Sequence, residues 1–156
     1  MTFVEKDLEM LEQSIIRLHR ALSQQRRWEE ITLQAGVNLD RTSAVILQKL
    51  ARADGKVYKM HEIAEKLSME APAVTRKVQL LSDAGYVTKE ADSKDGRAYT
   101  LHLTRKGTAV AKRLHAANRD HLKATIADWQ PSERKQLARL VQKFADSLME
   151  VGSPKF

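Results

Sequence analysis

The run Asp95-Gly96-Arg97-Ala98-Tyr99-Thr100-Leu101-His102-Leu103-Thr104-Arg105-Lys106-Gly107 constrains the fold more than any other stretch of this chain. Asp92, Ser93, Asp95 and Gly96 are turn formers, and glycine reaches positive φ without a steric penalty. After the turn, Tyr99, Leu101 and Leu103 alternate with Thr100 and His102, the period of a half-buried strand. A partner strand is expected at Tyr86-Val87-Thr88-Lys89-Glu90. Thr104 sits where a helix N-cap is wanted, so the hairpin feeds directly into a helix. Lys94 and Arg97 ride on the hairpin tip, where a basic side chain is placed to reach DNA phosphates or a minor groove.

The preceding segment has a different period. His61 to Leu67 is expected as a short helix, with Ile63, Ala64 and Leu67 on one face. Ser68 and Met69 turn the chain, and a longer helix is expected from Glu70 to Ala84, stopped at Gly85. Pro72 falls in its first turn, where N–H groups have no intrahelical partner. Val74, Val78 and Leu81 form the inward stripe of this helix. Pro72, Arg76 and Gln79 point the opposite way, flanked by Ala73, Thr75 and Leu80. Two such helices joined by a tight turn make a helix–turn–helix, and the hairpin after them makes it winged.

This ordered set resembles the MarR-type (multiple antibiotic resistance regulator) transcriptional regulators. The resemblance rests on Ile63-Ala64-Glu65-Lys66-Leu67, Val74-Thr75-Arg76, Leu81 to Val87, Asp95-Gly96-Arg97-Ala98 and Leu103 to Gly107, within residues 44–107. It implies that the second helix reads a major groove and the wing enters the flanking minor groove. Carried over, it makes Thr75 and Arg76 recognition-helix contacts, and Arg97 a wing arginine held by Asp95. Ala73, Gln79, Lys77, Lys59 and Lys94 complete the expected DNA-binding set, with Lys77, Lys59 and Lys94 as phosphate contacts. Each has a simpler role too: Arg76 a solvated helix charge, Arg97 the turn partner of Asp95, and Lys77 plain surface. Three positions depart from the family pattern. Gly96 replaces a frequent basic residue, Lys59 a frequent Ser or Thr cap, and Tyr86 a typical Leu. Lys59 is a poor N-cap, because a cation opposes the helix dipole.

Long amphipathic helices flank the module. One is expected from about Val4 to Leu33, with Leu8, Leu11, Ile15, Leu18, Leu22 and Arg26 at heptad-like spacing. Gly36 and Asn38 break it, and Asp40 caps the next helix, whose core residues are Val45, Ile46, Leu47 and Leu50. After the wing, a helix is expected from Arg105 to about Asp128, carrying Val110, Leu114, Ala117, His121 and Ile126. A last helix starts at Pro131, with Glu133 at N3, and carries Leu137, Leu140, Val141, Phe144 and Leu148. Stripes this long leave apolar area exposed in a monomer, so a two-fold dimer built from both ends is expected.

The expected organisation is therefore mainly α with a small β-wing, one MarR-like domain over 1–156. Residues 40–107 form the winged helix–turn–helix, and 1–37 and 108–151 the dimerisation helices.

Composition narrows the function. A net charge of +7 suits a polyanionic partner. The excess lies mostly outside the reader: residues 54–107 hold ten Lys+Arg against eight Asp+Glu, and 108–156 hold nine against five. There is no cysteine, which removes disulfides, thiolate nucleophiles and thiol redox sensing. No Gly-rich phosphate loop and no anchored Ser/His/Asp order is present, so an enzyme is not expected. His115 and His121 are six apart, not the spacing of two ligands on one helix face, and no metal or cofactor is expected. No signal peptide or membrane span is apparent, so a cytoplasmic protein is expected.

The reading is a homodimeric, sequence-specific regulator of transcription, a repressor by resemblance. It would leave a pseudo-palindromic operator when a small amphipathic or aromatic effector binds. Arg17, His19, Arg20 and Trp28 are the candidate effector contacts. The alternative is an architectural DNA-binding protein without sequence preference, which discrimination between DNA competitors separates from a regulator.

Overall fold

The computed structural model describes residues 5–53, 57–92 and 98–151. In chain order the elements are α1 (Glu5–Ser23), α2 (Gln25–Gln34), α3 (Arg41–Ala51), β1 (Tyr58–Lys59), α4 (Met60–Lys66), α5 (Ala71–Asp83), β2 (Val87–Ala91), β3 (Tyr99–Leu103), α6 (Arg105–Thr125) and α7 (Pro131–Val151). Residues 1–119 form one compact unit, and residues 120–156, the end of α6 with α7, form a second.

The first amphipathic stretch is two helices, not one. The break falls at Gln24, whose backbone is extended (φ −60°, ψ 131°). Trp28 supplies the physical reason. Its indole Nε1 donates to the Leu22 carbonyl at 3.1 Å, capping the end of α1 with a side chain. The break also turns the Trp28 ring into the core. α2 is tied to α6 by the Arg27 guanidinium, which donates to Asn118 Oδ1 at 2.7 Å. Gly36, at φ +66°, ends α2 as expected. Asp40 then caps α3, accepting from the Ser43 backbone N–H at 3.1 Å.

The core of the first unit is built from Ile31, Ile46, Leu47, Ile63, Val74, Val78, Leu81, Val87, Leu101, Val110 and Leu114. These residues come from α2 to α6, so α4, α5, the wing root and α6 share one apolar interior. Between α3 and α6 lies a recess of about 180 Å³, lined in part by Gln48, Arg52 and His115. Gln48 Nε2 is buried there and has no hydrogen-bond partner among the described residues.

The sheet is antiparallel in the order β1-β3-β2. β2 and β3 form the expected hairpin, with Val87 opposite Leu103 and Ala91 opposite Tyr99. β1 is an addition that the alternation of the sequence did not announce, because two residues carry no period. It pairs Tyr58 with Leu101 and Lys59 with Thr100, so β3 is the central strand. α6 stops at Thr125, slightly before the expected end near Asp128.

Apolar side chains line α1 without being covered: Leu8, Leu11, Ile15, Leu18 and Leu22 are all exposed. In the second unit the same holds on α7 for Leu137, Leu140, Val141 and Leu148. α7 begins as its sequence requires, with Glu133 Oε2 accepting from the Gln130 backbone N–H at 2.8 Å.

Candidate nucleic-acid interface

α4 and α5 are set by what they bury. Ile63 and Ala64 of α4, and Val74, Val78 and Leu81 of α5, face the core. The turn between them uses Ser68 at φ +50°, a left-handed residue that closes α4. The Ser68 N–H donates to Glu65 O and the Met69 N–H to Ala64 O, both at 3.0 Å. α5 ends at Gly85, φ +75°, where the Tyr86 N–H returns to Leu81 O at 2.9 Å. Both helices are thus closed at their C-termini by backbone geometry, and their apolar stripes fix which face of α5 looks outward.

That outer face carries Pro72, Thr75, Arg76, Gln79 and Leu80, all exposed, with Ala73 half-buried at its edge. Arg76 makes no hydrogen bond or ion pair with a described residue. Thr75 donates its hydroxyl to Ala71 O at 2.9 Å, so its oxygen remains an acceptor toward solvent. Lys77 is held at the flank, its ammonium 2.9 Å from Asp40 Oδ2. The same Asp40 caps α3, so one carboxylate joins α5 to α3. Burial alone would push the Asp40 carboxyl up. Hydrogen bonds from Lys77 and from the Ser43 backbone and hydroxyl, with the Lys77 charge, outweigh it and hold the carboxyl below its ordinary value.

Gln79 is engaged at both ends of its amide. Nε2 donates to Asp83 Oδ1 at 2.7 Å, and Oε1 accepts from the Lys89 ammonium on β2. Lys59 is also paired, with Asp92 at the end of the wing strand. Its position as N-cap of α4 is supported from the other side, because Glu62 accepts from the Lys59 backbone N–H at 2.8 Å. That carboxylate in the first turn compensates for a cation at the cap. Lys94, Asp95 and Arg97 lie outside the described residues.

The wing root is fastened to α6. Thr104 Oγ1 donates to Gly85 O at 2.7 Å and accepts from the Gly107 N–H at 3.0 Å, the expected cap. Lys106 donates to Ala84 O at 2.8 Å, and its ammonium lies 4.8 Å from the Tyr86 ring centroid. Tyr86, where a leucine was the expectation for the pattern, supplies a cation–π platform that a leucine lacks.

The structure brings Thr75, Arg76 and Gln79 together and ties Lys77 and Lys59 to acidic partners. Asp83 and Lys89 escaped the sequence reading as partners of Gln79, and Asp40 and Asp92, read as a helix cap and a turn former, were not read as partners of Lys77 and Lys59. Lys89 meets Gln79 only once the hairpin docks on α5, and Asp40 is 37 positions from Lys77, so no local spacing reveals either pair. The four candidate effector contacts divide. Arg17, His19 and Arg20 are exposed on α1, whereas Trp28 is buried under the α1–α2 break. No helix among the described residues is long and apolar enough to cross a membrane.

Known proteins share this architecture. A MarR transcriptional regulator from Methanosarcina mazei Go1 superposes with a TM-score of 0.75 at 20% identity, covering 92% of this chain and 99% of that one. The crystal structure of MarR gives a TM-score of 0.71 at 22% identity, covering 92% and 98%. At such identities the likeness establishes the fold. In sequence, the chain is similar to the HTH-type transcriptional regulator YkoM of Bacillus subtilis (strain 168), 27% identical over 85 residues. That match takes in 54% of this chain and 55% of YkoM, so the chain spans about half the length of this curated relative. Residues 37–98 match the MarR family. That match takes in 62 of the 156 residues, so the likeness to the MarR family is one of the winged helix–turn–helix module.

Proposed function

We propose that this chain acts as a homodimer that binds a pseudo-palindromic operator as a repressor and leaves it when a small amphipathic effector binds. The observation that carries the reading is the outer face of α5. Arg76 stands exposed and without a described partner between Thr75 and Gln79, on a helix locked to the core by Val74, Val78 and Leu81. An arginine so placed suits the bidentate pairing with guanine O6 and N7. Lys77, already beside Asp40, suits a phosphate contact at the groove edge. Arg97 and Lys94 of the wing serve the adjacent minor groove and backbone.

The uncovered apolar stripes on α1 and on α7 support the dimer, since a lone chain would leave them in water. Two-fold symmetry sets two recognition helices about 34 Å apart, on successive major grooves. An effector lowers DNA affinity only by binding the DNA-incompetent arrangement better. Arg17, His19 and Arg20 are the proposed electrostatic contacts for an anionic effector, and Trp28 is the proposed aromatic contact.

The test is selection of bound sequences from a random duplex pool, followed by titration. A regulator discriminates its site from competitor DNA by about a thousandfold or more. Arg76→Ala should lose preference at one position of each half-site. Arg97→Ala should weaken binding by about 1–3 kcal/mol. A flat preference across the pool refutes the operator reading and favours a sequence-independent architectural role.

A further inference from the structure

Gln79 faces outward from the recognition helix, but its amide is not free. Asp83, one turn further along α5, accepts from Nε2, and Lys89 on β2 donates to Oε1. The arrangement runs carboxylate, amide, ammonium. The amide dipole is aligned between the two charges, its N–H end toward Asp83 and its carbonyl end toward Lys89. Both bonds are charge-assisted, and each polarises the amide in the sense that strengthens the other.

Glutamine reads a base by using both ends of its amide at once. Against adenine it accepts from N6 and donates to N7. Those are the two functions that Lys89 and Asp83 occupy here. Arg76, one helical turn earlier, has no such clasp. The recognition face therefore holds one open reader and one closed one.

We propose that Lys89 and Asp83 are specificity-determining residues that hold Gln79 off the bases, so that the base pair beneath Gln79 is left degenerate. The clasp joins helix to wing strand: Lys89 lies on β2, opposite Leu101 of β3. This inference rests on α5 being the reading helix. It assigns to Lys89 a task different from a phosphate contact, and the two have different signatures. A lost phosphate contact weakens binding to every sequence and lowers the salt slope. A lost clasp changes which sequences are bound.

The experiment is selection from a random duplex pool with the wild-type protein, Lys89→Met and the double variant Lys89→Met/Gln79→Ala. Methionine keeps the length of the side chain and removes the ammonium. Circular dichroism and sedimentation confirm that each variant is folded and of wild-type assembly, and Lys89→Gln serves if methionine disturbs the strand. The wild type should show no preference at one half-site position next to that read by Arg76. Lys89→Met should acquire an adenine preference there of roughly five- to a hundredfold, the range of one bidentate pair. The double variant should return that position to degeneracy. If the wild type selects an operator and Lys89→Met selects the same one with uniformly lower affinity, the clasp has no part in specificity and the inference falls alone. An adenine preference already present in the wild type, lost in Gln79→Ala, also overturns it. If the wild type selects no sequence at all, the operator reading falls with it.

Discussion

Gly107→Ala gives a test in which elementary propensity and this structure predict opposite signs. Gly107 lies in the first turn of α6, and in a helix interior alanine is favoured over glycine by about 0.5–1 kcal/mol. Helix propensity alone therefore expects a more stable protein. The packing forbids it. A β-carbon at position 107 would lie 2.0 Å from the Tyr86 carbonyl oxygen and 2.9 Å from its carbon. Both are backbone atoms, so no side-chain rotation relieves the clash. α6 has to back away by more than 1 Å to reach an ordinary contact of about 3.4 Å. Three bonds cross that seam: Thr104 N–H to Tyr86 O at 3.0 Å, Thr104 Oγ1 to Gly85 O at 2.7 Å and Lys106 to Ala84 O at 2.8 Å. At about 1 kcal/mol each, their loss outweighs the propensity gain and leaves a net destabilisation of about 2–3 kcal/mol. For a chain of this length that lowers Tm by roughly 5–10 °C. Urea unfolding at fixed protomer concentration measures it, since an oligomer's midpoint moves with concentration. Gly85→Ala is the control: open space surrounds Gly85, so only its φ of +75° matters, at about 1–2 kcal/mol. A midpoint for Gly107→Ala at or above wild type refutes the packing argument.

Other substitutions probe single interactions. Asp40→Asn keeps an oxygen to cap α3 but loses the Lys77 ion pair, and should lower stability at pH 7 by about 0.5–1 kcal/mol. Because the folded carboxyl titrates below its unfolded value, that stability is present above about pH 4 and lost as pH falls through the folded value. The gap between wild type and variant in urea midpoint should therefore close on acidification, and a gap independent of pH would exclude the ion pair as its cause. Gln48→Met removes a buried amide nitrogen that has no partner among the described residues and should raise stability by about 0.5–1 kcal/mol; a loss of stability in thermal unfolding would mean that the amide is bonded in solution. Thr104→Val removes the cap of α6 and should cost about 1–2 kcal/mol, read as faster hydrogen exchange at the Gly107 amide.

The reader was legible in the sequence because its constraints are local. The stripe of Val74, Val78 and Leu81, the stop at Gly85 and the cap at Thr104 each follow from spacing within one or two turns, and each stands where expected. The break at Gln24 was not legible. Nothing in Ser23-Gln24-Gln25 disfavours a helix strongly, and the cause is a tertiary one, the descent of Trp28 into the core. The same limit applied to the interface. Arg76 and Gln79 were placed on one outward face, but the sequence could not distinguish an open side chain from a clasped one. Lys77 and Lys59 were read as charges awaiting phosphate, and their partners Asp40 and Asp92 lie across the fold.

The pairing of Tyr58 with Leu101 has a consequence for how the molecule assembles itself. The chain between these residues contains α4, α5 and β2, so the two-residue strand closes a long loop around the entire reader. The loss of chain entropy on closing such a loop comes before most of the contacts that reward it. Helices α4 and α5 can form early by themselves, but they become a fixed reader only when β1 reaches the far side of the hairpin. An excised helix–turn–helix lacking β1 or β3 would keep its helical periodicity and lose the closure that sets its angle to the wing. Because α2 and α3 supply Ile31, Ile46 and Leu47 to the same interior, the smallest autonomous folding unit is the span from α2 into α6, with the β1–β3 pairing as its longest internal closure.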